Sequence, residues 1–494
     1  GSTDPGLTVT ISDGTNSGTT VADGSGNYSF NVPAEWNYQD NSSKSITVSI
    51  SNGANSSVSF TIDTPATINI SSPIDGSTQS SLTPTISGST DPGLTVTISD
   101  GTNSGTTTSD GTGNYSFDIP SSWSYTYGQV KNINISISNG ATASISITMP
   151  SYSWTSATVL STPAGMGSGY GQEVQFSPDE KLMMVGLNGN TQLEIYSRSN
   201  DTFTKLTRPT DYVSVISGIS FTPDASYVAM CGQGYNELFV YSITRNPLDQ
   251  SYNFGKLAAA NIPNLPSAPF YDCCFSPDGE FLVGSTVNSQ NASGFIYQRS
   301  GSTFTKIATN SLKYTVTSPA SQVAWSPDSR FIYFGTNAGL AISERVGTTV
   351  THVTVLQNDM AIYCTDVSPD GNLIAIGGTK GIKGDLYVYQ KTGDKTWSKV
   401  NVTIDGSPNS PALTGFIWGV KFSPDGKYLM VTNKGGDKVT LYSISGTALT
   451  KVSGAFPSAP AGNPGRVDWS PSGKYLAVSE LSSGPNVVIY KNGI

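Results

Sequence analysis

The chain has 494 residues, 36% hydrophobic, 12% charged and 10% aromatic, with 52 Gly, 28 Pro, a single His and a net charge of −9. At roughly 100–200 residues per domain this length implies several domains, and 24 Tyr, 18 Phe and 7 Trp carry too much apolar area for a self-repelling disordered coil. No basic stripe suits nucleic acid and no run of about 18 apolar residues suits a membrane-spanning helix, so neither nucleic-acid binding nor membrane insertion is expected.

Residues 1–150 hold two basic residues, Lys44 and Lys131, against eleven acidic ones, so the charge belongs to this part. The segment GSTDPGLTVTISDGTNSGTT at residues 1–20 recurs unchanged at 88–107, a period of 87. Within it LTVTIS, NYSFNVP and SITVSISN alternate apolar and polar residues between DPG, SDGT and DGSGN turn clusters, the pattern of antiparallel strands. The period is that of a β-sandwich of immunoglobulin size. Two domains are expected, residues 1–65 and 66–150, with cores on Tyr28, Phe30 and Trp36 and on Tyr115, Phe117 and Trp123. The stretch TINISSPIDGSTQSSLTPTIS near Ala66 has no counterpart ahead of Gly1, so the first copy is expected to be incomplete, its missing strands supplied upstream or donated by another chain.

The PGLTVTISDGT and DGSGNYSFNVP motifs resemble those of the bacterial Ig-like domains of large surface adhesins. The resemblance implies a spacer role for residues 1–150. Asp91, Asp100 and Asp110 in the acidic turns are candidate calcium ligands, weighed against ordinary turn aspartates; no other cofactor is expected.

After Tyr152 the period changes. The motif [F/W/V]-[S/T]-P-[D/S] begins at Phe176, Phe221, Phe275, Trp325, Val367, Phe422 and Trp469, at intervals of 42–55 residues. Apolar strands such as KLMMVG and LEIYSR follow each motif, and FTKL, FTKI, WSKV or LTKV follow in most. Seven units of four strands predict an all-β, seven-bladed β-propeller over residues 151–494. Pro, Asp and Gly in sequence make a tight turn between the first two strands, so SPDG reads as architecture. The last unit has three strands of its own, and Trp154 to Leu160 is expected to supply the fourth, closing the ring. The units resemble WD-repeat-like or YVTN-type propellers, without the Gly-His and Trp-Asp dipeptides of true WD repeats, and are similar to propellers of bacterial surface and phage virion proteins.

Cys231, Cys273, Cys274 and Cys364 fit no zinc spacing and read as small buried hydrophobes, with one disulfide left open. Lys205, Lys256, Lys306, Lys399 and Lys451 recur at matching places in outer strands, where they protect edges from aggregation; His352 holds that place in the fourth unit. No nucleophile elbow, zinc helix or phosphate loop appears, so no enzyme is expected, although dispersed Tyr, Asp and Glu leave a polysaccharide-acting enzyme open.

The residues ahead of the SP motifs should gather at one mouth of the propeller channel. They include Tyr170, Tyr212, Tyr271, Tyr363, Phe416 and Trp418, interleaved with Gln172, Glu173, Asp272, Asp366 and Arg466. Aromatic faces beside hydrogen-bonding groups suit a sugar or a protein loop; the alternative is packing between blades. The expectation is a non-enzymatic display protein, extracellular or on a cell or virion surface such as a phage fibre or bacterial adhesin, recognising a glycan or protein receptor. The alternative is a self-associating structural subunit of a sheath, filament or capsid lattice.

Overall fold

The computed structural model describes the chain outside residues 39–41, 63–66, 80, 124, 126–127, 139, 151–153, 155–156, 161–162, 164–168, 190–191, 210–214, 234–236, 264, 266–267, 289–290, 308–312, 315–319, 358, 381–382, 401–402, 405–406, 409–414, 436–437, 483–485 and 493–494. Among the described residues regular structure is β-strand with a few short 3-10 turns. The chain divides into two compact units, Gly1–Tyr125 with Val130–Met149, and Thr126–Gln129 with Pro150–Ile494.

In the first unit the second repeat is a two-sheet sandwich. Thr95–Ser99, Ser104–Thr108, Val130–Ile137 and Thr142–Thr148 make one antiparallel sheet, and Asn69–Ser72, Thr85–Ser89 and Asn114–Asp118 the other. Strand alternation turns every second residue inward, so Val96, Ile98, Ile133, Ile135 and Ile147 meet Ile86 and Tyr115 in a buried core. The first repeat builds the same four-stranded sheet from Thr8–Ser12, Ser17–Val21, Ser43–Ile50 and Asn55–Thr61. Its buried core is Val9, Ile11 and Ile46, while Tyr28, Phe30 and Trp36 are only half-buried. These aromatics pack against that core with part of each ring accessible. In the second repeat Tyr115 and Trp123 are fully within the core, and Phe117 is partly buried against it.

Among the described residues the second unit contains seven antiparallel four-stranded arrays, six of them built from strands consecutive in the chain and the seventh from three C-terminal strands and one from the start of the unit. Their innermost strands are Tyr170–Phe176, Ile216–Phe221, Phe270–Phe275, Ala320–Trp325, Ala361–Val367, Phe416–Phe422 and Pro464–Trp469. Each packs beside the next, and the first beside the last, so the sheets close into a seven-bladed propeller. The cores lie between blades: Phe281, Val283 and Ile296 of blade 3 pack on Val323, Trp325 and Phe334 of blade 4.

The SP turns are hydrogen-bonded locks. Ser177 Oγ donates to Asp179 at 2.6 Å and accepts the Leu182 N–H at 2.9 Å. The same pairs recur at Ser368, Asp370 and Leu373 and at Ser423, Asp425 and Tyr428. In blade 7 Ser470 and Ser472 hydroxyls pair at 3.0 Å instead. A buried hydroxyl and a strand N–H are both satisfied, which is why the motif recurs in every blade.

Ring closure follows the expected plan. Ala157–Val159 pairs antiparallel with Val487–Asn492 as the outer strand of blade 7. Trp154 is buried edge-on against Trp469, with centroids 4.9 Å apart, and its indole N–H donates to the Gly473 carbonyl at 3.1 Å. The outer-strand lysines lie across the neighbouring strand. Lys256, Lys306 and Lys399 stand 4.2, 4.3 and 3.6 Å from the rings of Phe239, Phe295 and Tyr387, and Lys205 lies 2.6 Å from the buried Glu194 carboxylate. Each stem covers apolar surface while its charge disfavours edge pairing. His352 is exposed opposite Ser343.

All four thiols are free, with Cys231, Cys273 and Cys364 buried and Cys274 half-buried. Cys273 belongs to the core between blades 2 and 3, and Cys274 packs toward that between blades 3 and 4.

Candidate functional site

Every innermost strand carries a β-bulge at the same place. Register shifts occur between Gly171 and Glu173, Ile216 and Gly218, Phe270 and Asp272, Ala320 and Val323, Ile362 and Cys364, Ile417 and Gly419, and Pro464 and Val467. A bulge leaves one residue unpaired and re-aims its side chain. The bulged residues include Gln172, Tyr271, Tyr363 and Trp418, and in the wider shift of blade 7, Arg466. Five of the eleven residues expected at a binding face thus share one structural cause, which alternation alone does not reveal.

The bulges of blades 5 and 6 make an aromatic cluster. Tyr363 stacks on Trp418 with centroids 5.1 Å apart and planes at 13°, and Phe416 meets Tyr363 edge-on at 6.2 Å. All three are half-buried, leaving part of each ring accessible. Arg466 reaches across from blade 7, where its Nη1 donates to the carbonyls of Tyr363 at 2.8 Å and Trp418 at 3.1 Å. The Trp418 indole N–H is buried and has no hydrogen-bond partner among the described residues. An unmade hydrogen bond of this kind is unfavourable.

Arg466 also links this cluster to a second, ionisable one deeper along the strands. Its Nε lies 3.8 Å from Glu173. Lys421 lies 3.4 Å from Asp366 and 3.9 Å from Asp468. These carboxylates tie neighbouring blades together: Asp272 accepts the Val323 N–H at 2.9 Å, Asp366 the Phe422 N–H at 2.8 Å and Asp468 the Phe176 N–H at 2.8 Å. Burial pushes Glu173 up to about 8 against the pull of Arg466, with Asp272 and Asp468 adding to the rise. Burial likewise lifts Asp272 and Asp468 to about 6, opposed chiefly by Arg466 and by Lys421 respectively. Asp366 and Asp468 hold the Lys421 ammonium above its ordinary range in spite of burial. Burial pushes the Cys274 thiol up to about 12, so it stays protonated at neutral pH.

The structure therefore splits the expected residues. Tyr363, Phe416, Trp418 and Arg466 come together at the bulges, Glu173 and Asp272 face the ionisable cluster, and Tyr271 is the half-buried bulge residue of blade 3. Tyr170 is 46% exposed at the start of its strand and makes none of these contacts. Tyr212 lies outside the described residues. Lys421 and Asp468, one residue ahead of an SP motif, were not among the expected site residues. Their signal was a charged residue in strands otherwise lined with apolar ones.

Among the described residues no three His, Cys, Asp or Glu side chains come together to hold a metal ion. The acidic turns use their carboxylates locally: Asp100 accepts the N–H groups of Thr102 and Asn103 and lies 3.4 Å from Lys131, and Asp110 accepts those of Thr112 and Asn114.

Residues 386–493, under a quarter of the chain, match the family described as "Lactonase, 7-bladed beta-propeller". Among solved structures the chain is similar to the β-propeller domain of Cps50 (Swd1) from Myceliophteria thermophila, at 12% identity and a TM-score of 0.47, covering 68% of this chain and 99% of that one. No curated protein matches the chain.

Proposed function

We propose that this is a non-catalytic display protein of a cell or virion surface, in which sandwich repeats of the Ig-like adhesin kind act as a spacer and the propeller recognises a glycan or a protein. The observation that carries the reading is the half-buried stack of Tyr363 on Trp418, flanked by Phe416 and held by Arg466. A flat aromatic face offers contact area at low entropic cost. The single histidine sits on an outer strand and the Cys274 thiol stays protonated, so the channel residues described here include neither an imidazole base nor a thiolate nucleophile.

The test is binding of the whole chain to a glycan array and to cells, beside Tyr363→Ala and Trp418→Ala. Expected is a ligand whose affinity falls about tenfold or more in both variants, with melting little changed. Loss of melting temperature without any ligand would mean that the rings merely pack blades together. Self-assembly into filaments or sheets without binding would point to the lattice role, and turnover of a lactone or polysaccharide would overturn the non-catalytic reading.

A further inference from the structure

Along the ionisable cluster runs a cavity of about 200 Å³, whose walls include Glu173, Asp272, Gln322, Thr365, Asp366 and Lys421. It extends to Pro277 and Trp325 at the turn ends of blades 3 and 4, and it does not include Tyr363 or Trp418. It is thus separate from the aromatic stack.

Two independent features of its wall point to a ligand. The first is charge. Its wall carries three carboxyl groups, Glu173, Asp272 and Asp366, and one base, Lys421; Glu173, pushed up to about 8, is largely protonated at neutral pH, which leaves Asp272 and Asp366 facing Lys421. Lys421 serves Asp366 and Asp468, and Arg466 serves Glu173. Asp272 has no base within ion-pair distance among the described residues; its two oxygens take only the N–H groups of Cys273 and Val323. Arg466 and Lys421 act on Asp272 only from beyond that distance and offset the cost of burying its carboxylate only in part. The second feature is Thr365. It is 2% exposed, and its hydroxyl has no hydrogen-bond partner although it lines the cavity.

We propose that this cavity binds a small organic cation, a primary ammonium that pairs with Asp272 and donates a hydrogen bond to the Thr365 hydroxyl. A positive charge complements the acidic excess, and N–H donors satisfy the hydroxyl and the carboxylate lone pairs, as neither an anion nor a quaternary ammonium would. A metal ion fits less well, since among the described residues no three His, Cys, Asp or Glu side chains converge. At roughly 30 Å³ per water the space suits a ligand of about six heavy atoms or fewer.

The test is isothermal titration of the full chain with ethanolamine, with ethylene glycol as the uncharged probe of similar size. Expected is one saturable site for ethanolamine and none for ethylene glycol. Thr365→Val keeps the shape and removes the hydroxyl, so it should weaken ethanolamine about tenfold while melting stays the same or rises. Asp272→Asn should weaken it at least as much. If that variant does not fold, Thr365→Val decides alone. Absence of saturable ethanolamine binding up to about 10 mM, equal binding of ethylene glycol, or undiminished affinity in Thr365→Val would each overturn the proposal.

Discussion

Residues 1–20 and 88–107 are identical, yet the two copies do not bury the same side chains. Tyr115, Trp123 and Tyr125 are 3%, 8% and 6% exposed in the second copy, whereas Tyr28, Trp36 and Tyr38 of the first are half-buried. Ile145 and Ile147 are buried, but their counterparts Val58 and Phe60 are 56% and 38% exposed. The difference lies in Asn69–Ser72 and Thr85–Ser89, two strands of the sheet that covers the second copy's core. A strand with the right alternation presents an apolar face, but only an opposing sheet turns that face into a core. The propeller makes the same point at a larger scale, since blade 7 is completed by a strand more than 300 residues away in sequence.

If a covering element makes the core, removing one should be most damaging where most depends on it. Trp154→Ala takes away the edge-on contact with Trp469 and the bond to Gly473, and should destabilise the propeller by about 3–5 kcal/mol. A lowered urea midpoint for the propeller transition alone would show it; an unchanged midpoint would mean the ring closes without its latch.

The paired substitutions Trp123→Ala and Trp36→Ala sharpen the comparison within the sandwiches. The first should cost about 3–5 kcal/mol and the second markedly less, because a half-exposed ring loses less area from its surroundings. Equal effects in denaturant titration would sink the argument.

A smaller effect separates the two units by pH. Glu173 and Asp272 titrate higher when folded than when unfolded. Between about pH 5 and pH 8 the folded propeller therefore holds protons that the unfolded chain has released, and its stability falls as pH rises. Glu173→Gln should flatten that slope in calorimetry. The sandwiches behave oppositely and at lower pH. The Asn16 N–H holds Asp13 down at about 2, and at Asp100 the raising effect of burial is outweighed by the N–H groups of Asn103 and Thr102 and by Lys131. Their contribution is present above the ordinary carboxylate range and is lost as pH falls below about 4.

The smallest effect concerns the outer edges. Lys399→Ala removes a cation over the Tyr387 ring and should cost about 0.5–1 kcal/mol. A comparable cost at the exposed Lys181, whose ammonium pairs with Asp179 at the surface, would remove the distinction.

Strand identity, the number of blades and the turn chemistry were legible in the sequence because each is a local pattern repeated many times. The SP motif records a hydroxyl and a carboxylate bonding within five residues, and Trp154 announced itself as an unpaired strand ahead of a three-stranded last unit. The candidate site was legible only in its residue types. Tyr363, Trp418 and Arg466 sit at bulges, and a bulge changes which way a side chain points without changing the alternation that identifies the strand. Tyr170, chosen by the same rule, stays apart although Phe416, at the same place two residues ahead of its bulge, joins the stack.

The sequence by itself determined the local order: period-two strands, turns at fixed offsets, two repeats sharing an identical 20-residue segment and seven related ones. Tertiary structure alone decided which apolar faces found a partner and which charges met. Lys421 and its partners Asp366 and Asp468 come from three separate blades, and whether Asp272 has a counter-charge depends on distances that close only when the ring does. Burial and electrostatics act through space, and a linear pattern fixes only the neighbours a residue has along the chain.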